Sequence, residues 1–249
     1  MAINAQSGQG KIRLFDDFFG GYANANTLTI APIGPFSVLG DGIDETDSGA
    51  LLQTSDCLSG KVRLTTTNED NHACGIGTGM GFNVALMAPI VLEARVQFNN
   101  LDTKDAFIGF SDICASNMTI EGGIGKGDTT TLTLTASDIC GFYLSAELTA
   151  STAWHAMFNG GTTTGVTVST SNTLGVNATA GEWQVLRLEI DPDATVRWFI
   201  DGVLKKTVEN AVSKTVDLAA FCGVGAKGAA IEEMDVDYLL IEANRDWNA

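Results

Sequence analysis

Three carboxylates recur at every second residue in Glu233-Met234-Asp235-Val236-Asp237. On a β-strand such alternation puts all three on one face. Two carboxyl groups flanking one bond are what acid-assisted glycoside cleavage requires. The neighbours Leu240 and Ile241 supply no cleft of sugar-stacking tryptophans, and the last acid is the short Asp. A solvated outer face on a closing strand accounts for these acids with fewer assumptions, so the chain is read as a non-enzyme.

Other clusters carry other chemistry. Asp41, Asp44, Glu45 and Asp47 share one acidic loop, and hard carboxylate oxygens suit calcium. Asp41, Asp44 and Asp47 are the candidate ligands, although their spacing does not match the twelve-residue calcium loop; otherwise no cofactor is expected. Glu69-Asp70-Asn71-His72 is a second polar cluster of the same kind. His72 and His155 are the only histidines, and neither lies in a nucleophile motif. The run Gly75-Ile76-Gly77-Thr78-Gly79-Met80-Gly81 lacks the lysine and helix of a phosphate loop, so a strand or bulge is expected there. Trp154 with His155 is the pair with which a glycan could stack, set against the commoner fate of a buried tryptophan. The five cysteines, Cys57, Cys74, Cys114, Cys140 and Cys222, contain no CxxC pair and read as reduced, core-filling thiols. Only Cys57 with Cys74 invites a test for a bridge.

The elements that must position these residues are strands. Ile90, Leu92, Ala94, Val96 and Phe98 alternate with Glu93, Arg95 and Gln97, the pattern of a strand with one wet face; 106–110 is expected to return beside it. Gln184, Leu186, Leu188 and Ile190 alternate with Arg187 and Glu189. Residues 196–200 and 203–208 flank Asp201-Gly202, a dipeptide that favours a two-residue type I′ hairpin. Further strands are expected at 61–67, 139–145, 153–159, 163–169, 216–224 and 234–242. A loop with one short strand is expected at 118–135, and an edge segment broken by Pro32 and Pro35 at 28–39. No long helical pattern, linker or fixed repeat interrupts this series. The expected organisation is a polar N-terminal arm over 1–13 and one β-sandwich domain over 14–249.

A net charge of −16 over 249 residues argues against nucleic acid and against anionic membrane surfaces, both of which need clustered Lys and Arg. No stretch approaches the length of a membrane span, and MAINAQSGQGKIRLFDD lacks the apolar run of a secretory leader. Synthesis and retention in the cytoplasm, or incorporation into something assembled there, is the expectation.

Trp183 with LRLEIDPD, then VRWFIDG and MDVDYLLIEANR, resembles the closing strands of concanavalin A-like, laminin-G-like jelly rolls. The likeness is to versions found among tailed-phage virion proteins, where an opening such as Phe15-Asp16-Asp17-Phe18 also occurs. It implies an all-β fold of two antiparallel sheets with about six or seven strands each. It further implies a virion structural protein, an outer capsid decoration made in the host cytoplasm. Such a protein would bind the major capsid protein or another virion protein, and would form a homo-oligomer. Lys11 and Arg13 in the arm, with Arg245 and Trp247 in the tail, are the expected partner contacts. The alternative is a lectin-like head or tail adhesin whose partner is a glycan.

Overall fold

The computed structural model describes residues 10–19, 34–41, 50–53 and 60–246. In chain order the strands are β1 (Lys11–Asp16), β2 (Ser37–Leu39), β3 (Ala50–Gln53), β4 (Val62–Thr65), β5 (Ala73–Gly77), β6 (Phe82–Asn83), β7 (Ile90–Phe98), β8 (Lys104–Ser111) and β9 (Gly125–Asp128). They continue as β10 (Thr131–Leu134), β11 (Ile139–Ser145), β12 (Ala153–Asn159), β13 (Thr173–Asn177), β14 (Gln184–Ile190), β15 (Val196–Ile200), β16 (Val203–Val208), β17 (Asp217–Ala226) and β18 (Glu233–Asn244). The helices α1 (Val84–Met87) and α2 (Ser169–Asn172) are single turns, and a π turn spans Ile120–Ile124. No helix among the described residues is long and apolar enough to cross a membrane.

Two antiparallel sheets face each other. The first runs β16-β15-β14-β7-β18-β4-β3, with β1 also on β18, and the second runs β13-β12-β11-β8-β17-β5-β2, with β6 also on β17. The alternation read at Ile90–Phe98 is exact in burial: Ile90, Leu92, Ala94, Val96 and Phe98 point into the core and the residues between them point out. Core residues from both sheets form one cluster, with Trp154 and Trp198 among its largest fully buried side chains. At the β15–β16 turn, Asp201 (φ 51°) and Gly202 (φ 76°) are both left-handed, as a type I′ hairpin demands.

The second sheet is buried on both faces. Its outer face carries Gly75, Gly77, Gly109, Gly141 and Gly223, with Phe107 and Phe221 lying flat over them. A Cβ on Gly223 would sit 2.4 Å from the Phe221 ring, and one on Gly141 would sit 2.6 Å from the Phe107 ring. A third layer closes over this face: the π turn and the β9–β10 hairpin pack Met118, Ile120, Ile124 and Leu132 against Phe107, Tyr143, Met157 and Phe221. The glycine run at 73–77 is therefore a fully buried strand, small because rings occupy the space side chains would take.

Several expectations are corrected. Residues 106–110 do not return beside β7: β8 lies in the opposite sheet, between β11 and β17. The 118–135 segment holds two short strands rather than one. Residues 163–169 form no strand, and the edge beside β12 is instead β13. Lys11 and Arg13 are not in a mobile arm, because β1 pairs with β18 from Lys11↔Asn244 to Asp16↔Leu239. Residues 1–9 lie outside the described residues, as do Cys57 and all of 28–33.

Candidate functional site

The structure disperses the residues singled out by type and spacing. Trp154 and His155 are both fully buried. Trp154 faces the core and donates its indole N–H to Gln184 Oε1 at 2.8 Å. His155 points the other way on the strand, where burial lowers its basicity. Neither can form a surface platform for a sugar, which corrects that expectation.

Glu233, Asp235 and Asp237 lie on the outer face of the first sheet, as alternation requires, but face cations rather than a cleft. Asp235 accepts from Lys61 Nζ and Arg63 Nε, each at 2.6 Å. Asp237 accepts from Arg95 at 2.7 Å, and Glu233 lies 3.2 Å from Arg63. Burial pulls Asp235 upward, yet Arg63 and Lys61 outweigh it and hold the carboxyl below the usual range. The expected solvated acids are thus members of an ion-pair lattice.

Of the expected calcium ligands, Asp44 and Asp47 lie outside the described residues. Asp41 is brought 3.9 Å from His72 Nε2, which is itself 3.1 Å from Glu69, so the two polar clusters meet in space. Among the described residues no three metal-ligating side chains form a group. Arg245 is exposed just after β18, and its backbone N–H donates to Gly10 O at 3.0 Å. Trp247 lies outside the described residues.

A site that the sequence signalled only at Asp70, within the second polar cluster, sits at one end of the sandwich. The connections β4–β5, β7–β8, β11–β12 and β17–β18 converge there on a cleft of about 550 Å³ lined by Asp70, Leu101, Asp102, Thr103, Ala146, Glu147, Ser151, Lys227 and Gly228. Lys227 lies 3.0 Å from Glu147 and 3.4 Å from Asp105, and it also pairs with Glu121 of the π turn. Gly228 takes a left-handed φ of 89° and donates its N–H to Asp70 at 2.6 Å. Below the cleft, Tyr143 Oη accepts from Gly127 N at 2.8 Å and donates to Asp105 at 3.1 Å.

The electrostatics follow from burial and pairing. Burial pushes the Asp105 carboxyl up to about 6 against the pull of Lys227. Burial would lower the Lys227 ammonium, but Asp105, Glu121 and Glu147 overcome it and hold it above the usual lysine range. Nearby, Lys104 is fully buried 2.7 Å from Glu232, a second ion pair beneath the same end. Three carboxylates (Asp70, Asp102 and Glu147) line the cleft against one ammonium, Lys227, so the cleft is net acidic. Chemically it offers fixed acceptors, a pinned ammonium and hydroxyls.

No protein-family model and no curated protein matches the sequence. Solved structures do match in fold. A protein of unknown function, SO2946 from Shewanella oneidensis MR-1, aligns at TM-score 0.57 and 12% identity, over 96% of this chain and 89% of that one. The potassium-bound carbohydrate recognition domain of Emp46p aligns at TM-score 0.52 and 10% identity, over 83% and 88%. A carbohydrate esterase, vb_24B_21 from the Shiga toxin-encoding bacteriophage phi24B, aligns at TM-score 0.50 and 18% identity, over 85% and 91%. The fold is a concanavalin A-like jelly roll.

In this concanavalin A-like sandwich the chain's own third layer covers the outer face of the second sheet, and the polar end cleft is an open concavity among the described residues, with a smaller one beside β1 lined by Lys11, Arg13, Val91 and Glu242. Sequence reasoning passed over its key members. The available signal was the pair Lys104-Asp105 opening an apolar strand and Lys227 closing another, charged residues where alternation leaves no wet face.

Proposed function

We propose that the protein binds carbohydrate in the end cleft around Lys227. The observation that carries this reading is the cleft's construction, with Asp70, Asp102, Glu147, Thr103 and Ser151 ringing an ammonium fixed by Glu147 and Asp105. Sugar hydroxyls both donate and accept, and a ring of preoriented carboxylates and hydroxyls matches them without reorganisation. The fold supports the reading, since a carbohydrate recognition domain and a carbohydrate esterase share it. The test is a glycan array read with calcium and with chelator, followed by calorimetry on any hit. Asp102→Ala, an exposed change on the cleft rim, is expected to abolish binding without altering the melting temperature. Silence of the wild-type protein in both conditions sinks the proposal.

A second reading, an outer capsid decoration protein of a phage, rests on the sequence likeness of Trp183-Gln184-Val185-Leu186-Arg187-Leu188-Glu189-Ile190 and the strands after it to virion jelly rolls. Locating the protein in an intact particle, or failing to find it there, tests this reading directly.

A further inference from the structure

The chain has six arginines, and all of them belong to the first sheet or the residue next to it. Arg13, Arg63, Arg95, Arg187 and Arg197 point outward from β1, β4, β7, β14 and β15, and Arg245 follows β18. Strand register arranges the outer face in rows across five strands. One row reads Arg197, Glu189, Val91, Glu242, Arg13, and the next reads Phe199, Arg187, Glu93, Leu240, Phe15. Val185, Arg95 and Tyr238 begin a third.

Three properties set this face apart. Its aromatic and aliphatic side chains (Phe15, Val185, Phe199, Tyr238, Leu240) are partly exposed and interleave with arginine, the composition of the centre of a protein interface rather than of ordinary surface. Its arginines are already ordered, which lowers the entropy lost on docking. Arg187 lies 2.7 Å from Glu189 and 3.0 Å from Glu93, and Arg95 stacks 4.8 Å from the Trp183 ring. Finally, its charges nearly cancel. Seven carboxylates (Glu93, Glu189, Asp191, Glu233, Asp235, Asp237, Glu242) meet six cations (Lys61 and the five strand arginines). These ion-paired groups sum to −1, and Lys11 on the same side of β1 brings the face to about neutral, against −16 for the chain.

We infer that the outer face of the first sheet is the surface on which two copies of this chain pack. Copies this acidic repel one another on average, whereas on this face each presents both signs in adjacent rows. A two-fold axis running along the rows, between the first and the second, sets Arg187 of each copy against Glu189 of the other, and Arg13 and Arg197 against the rings of Phe15 and Phe199, so the face is complementary to itself. A basic partner would find more field elsewhere on the molecule, and an acidic one would find none here. The inference stands independently of the carbohydrate reading, because the cleft lies at the end of the sandwich and not on this face.

The experiment is sedimentation velocity on the full chain over a concentration series, with Leu240→Arg and Phe199→Glu as variants. Both side chains are partly exposed on the outer face and lie outside the core, so circular dichroism and melting temperature are expected to hold. The wild type is expected to sediment as a dimer, and each variant to weaken self-association by roughly tenfold or more. A monomeric wild type at its solubility limit overturns the inference. So does a dimer that both folded variants leave intact, or a glycan hit whose protection in hydrogen exchange maps to this face of a monomer. Should a variant fail to fold, Arg187→Gln provides the same readout with a milder change.

Discussion

Trp198 on β15 donates its indole N–H across the sandwich to the carbonyl of Gly141 on β11, at 2.9 Å. Trp154 on β12 reaches the opposite way, to Gln184 on β14 at 2.8 Å. Each sheet thus sends one large ring through the core to a polar group on the other. The two bonds fix the sheets' spacing and lateral position, which dispersion alone leaves free to slide.

Trp198→Phe leaves the Gly141 carbonyl without its buried donor and opens space beside Phe158. Chemical denaturation is expected to show a loss of about 2–4 kcal/mol. A change below about 1 kcal/mol would mean that the indole N–H contributes little.

Gly141 is constrained from its other side as well. A Cβ there meets the Phe107 ring at 2.6 Å and the Ile108 carbonyl at 2.7 Å. Gly141→Ala is therefore expected to destabilise by about 1–3 kcal/mol through overpacking, despite the gain in strand propensity. The double variant with Phe107→Leu should recover part of that loss, and simple additivity would show that the ring is not the obstacle.

Asp105 gives stability an unusual pH dependence. Its carboxyl rises from 3.8 to about 6 on folding, so the folded chain holds this proton more tightly than the unfolded chain. The stability this group contributes is full below about pH 4 and is lost as pH rises through 6. Asp105→Asn carries no such loss, so its Tm relative to wild type should climb between pH 4 and pH 6.5. A flat difference across that window would place the Asp105 pKa near its unperturbed value.

Two ion pairs on the outer face of the first sheet should differ sharply in worth. Arg13 and Glu242 are 41% and 45% exposed, so Glu242→Gln is expected to cost less than about 0.5 kcal/mol. Asp235, with its side chain 1% exposed, holds Lys61 and Arg63 together. Asp235→Asn is expected to cost about 2–4 kcal/mol by urea denaturation.

The cleft's acidity carries a selectivity. With three lining carboxylates to one lysine it should favour neutral or amino sugars and reject uronates, sialylated and sulfated glycans. Matched neutral and acidic oligosaccharides in one titration measure this. Preference for the acidic member would relocate the binding site.

Where alternation was clean, the sequence was a reliable guide. At Ile90–Phe98 and Gln184–Ile190 one face is wet and the other dry, so period-two patterning is visible, and Asp201-Gly202 carries its turn in its own backbone preferences. The second sheet hid itself because its strands are dry on both faces: β8 and β11 are buried at every position, so no alternation marks their orientation or partner. The third layer was illegible for a related reason, since Gly125 and Gly127 pack by absence of side chain rather than by presence. The cleft was harder still. Asp70, Asp102, Glu147 and Lys227 come from four connections, and only the folded sandwich brings them to one end. Trp154 and His155 misled because adjacent residues on a strand face opposite ways, into two different dry layers.

The last strand is central rather than peripheral. β18 lies between β7 on one side and β4 with β1 on the other. During synthesis, residues 62–65 and 90–98 emerge long before 233–244, and until then both offer open backbone edges with no partner between them. The nascent chain therefore passes through a stage in which half of the sandwich is a split sheet. Its aggregation risk is concentrated there, and closure waits until β18 itself has left the ribosome.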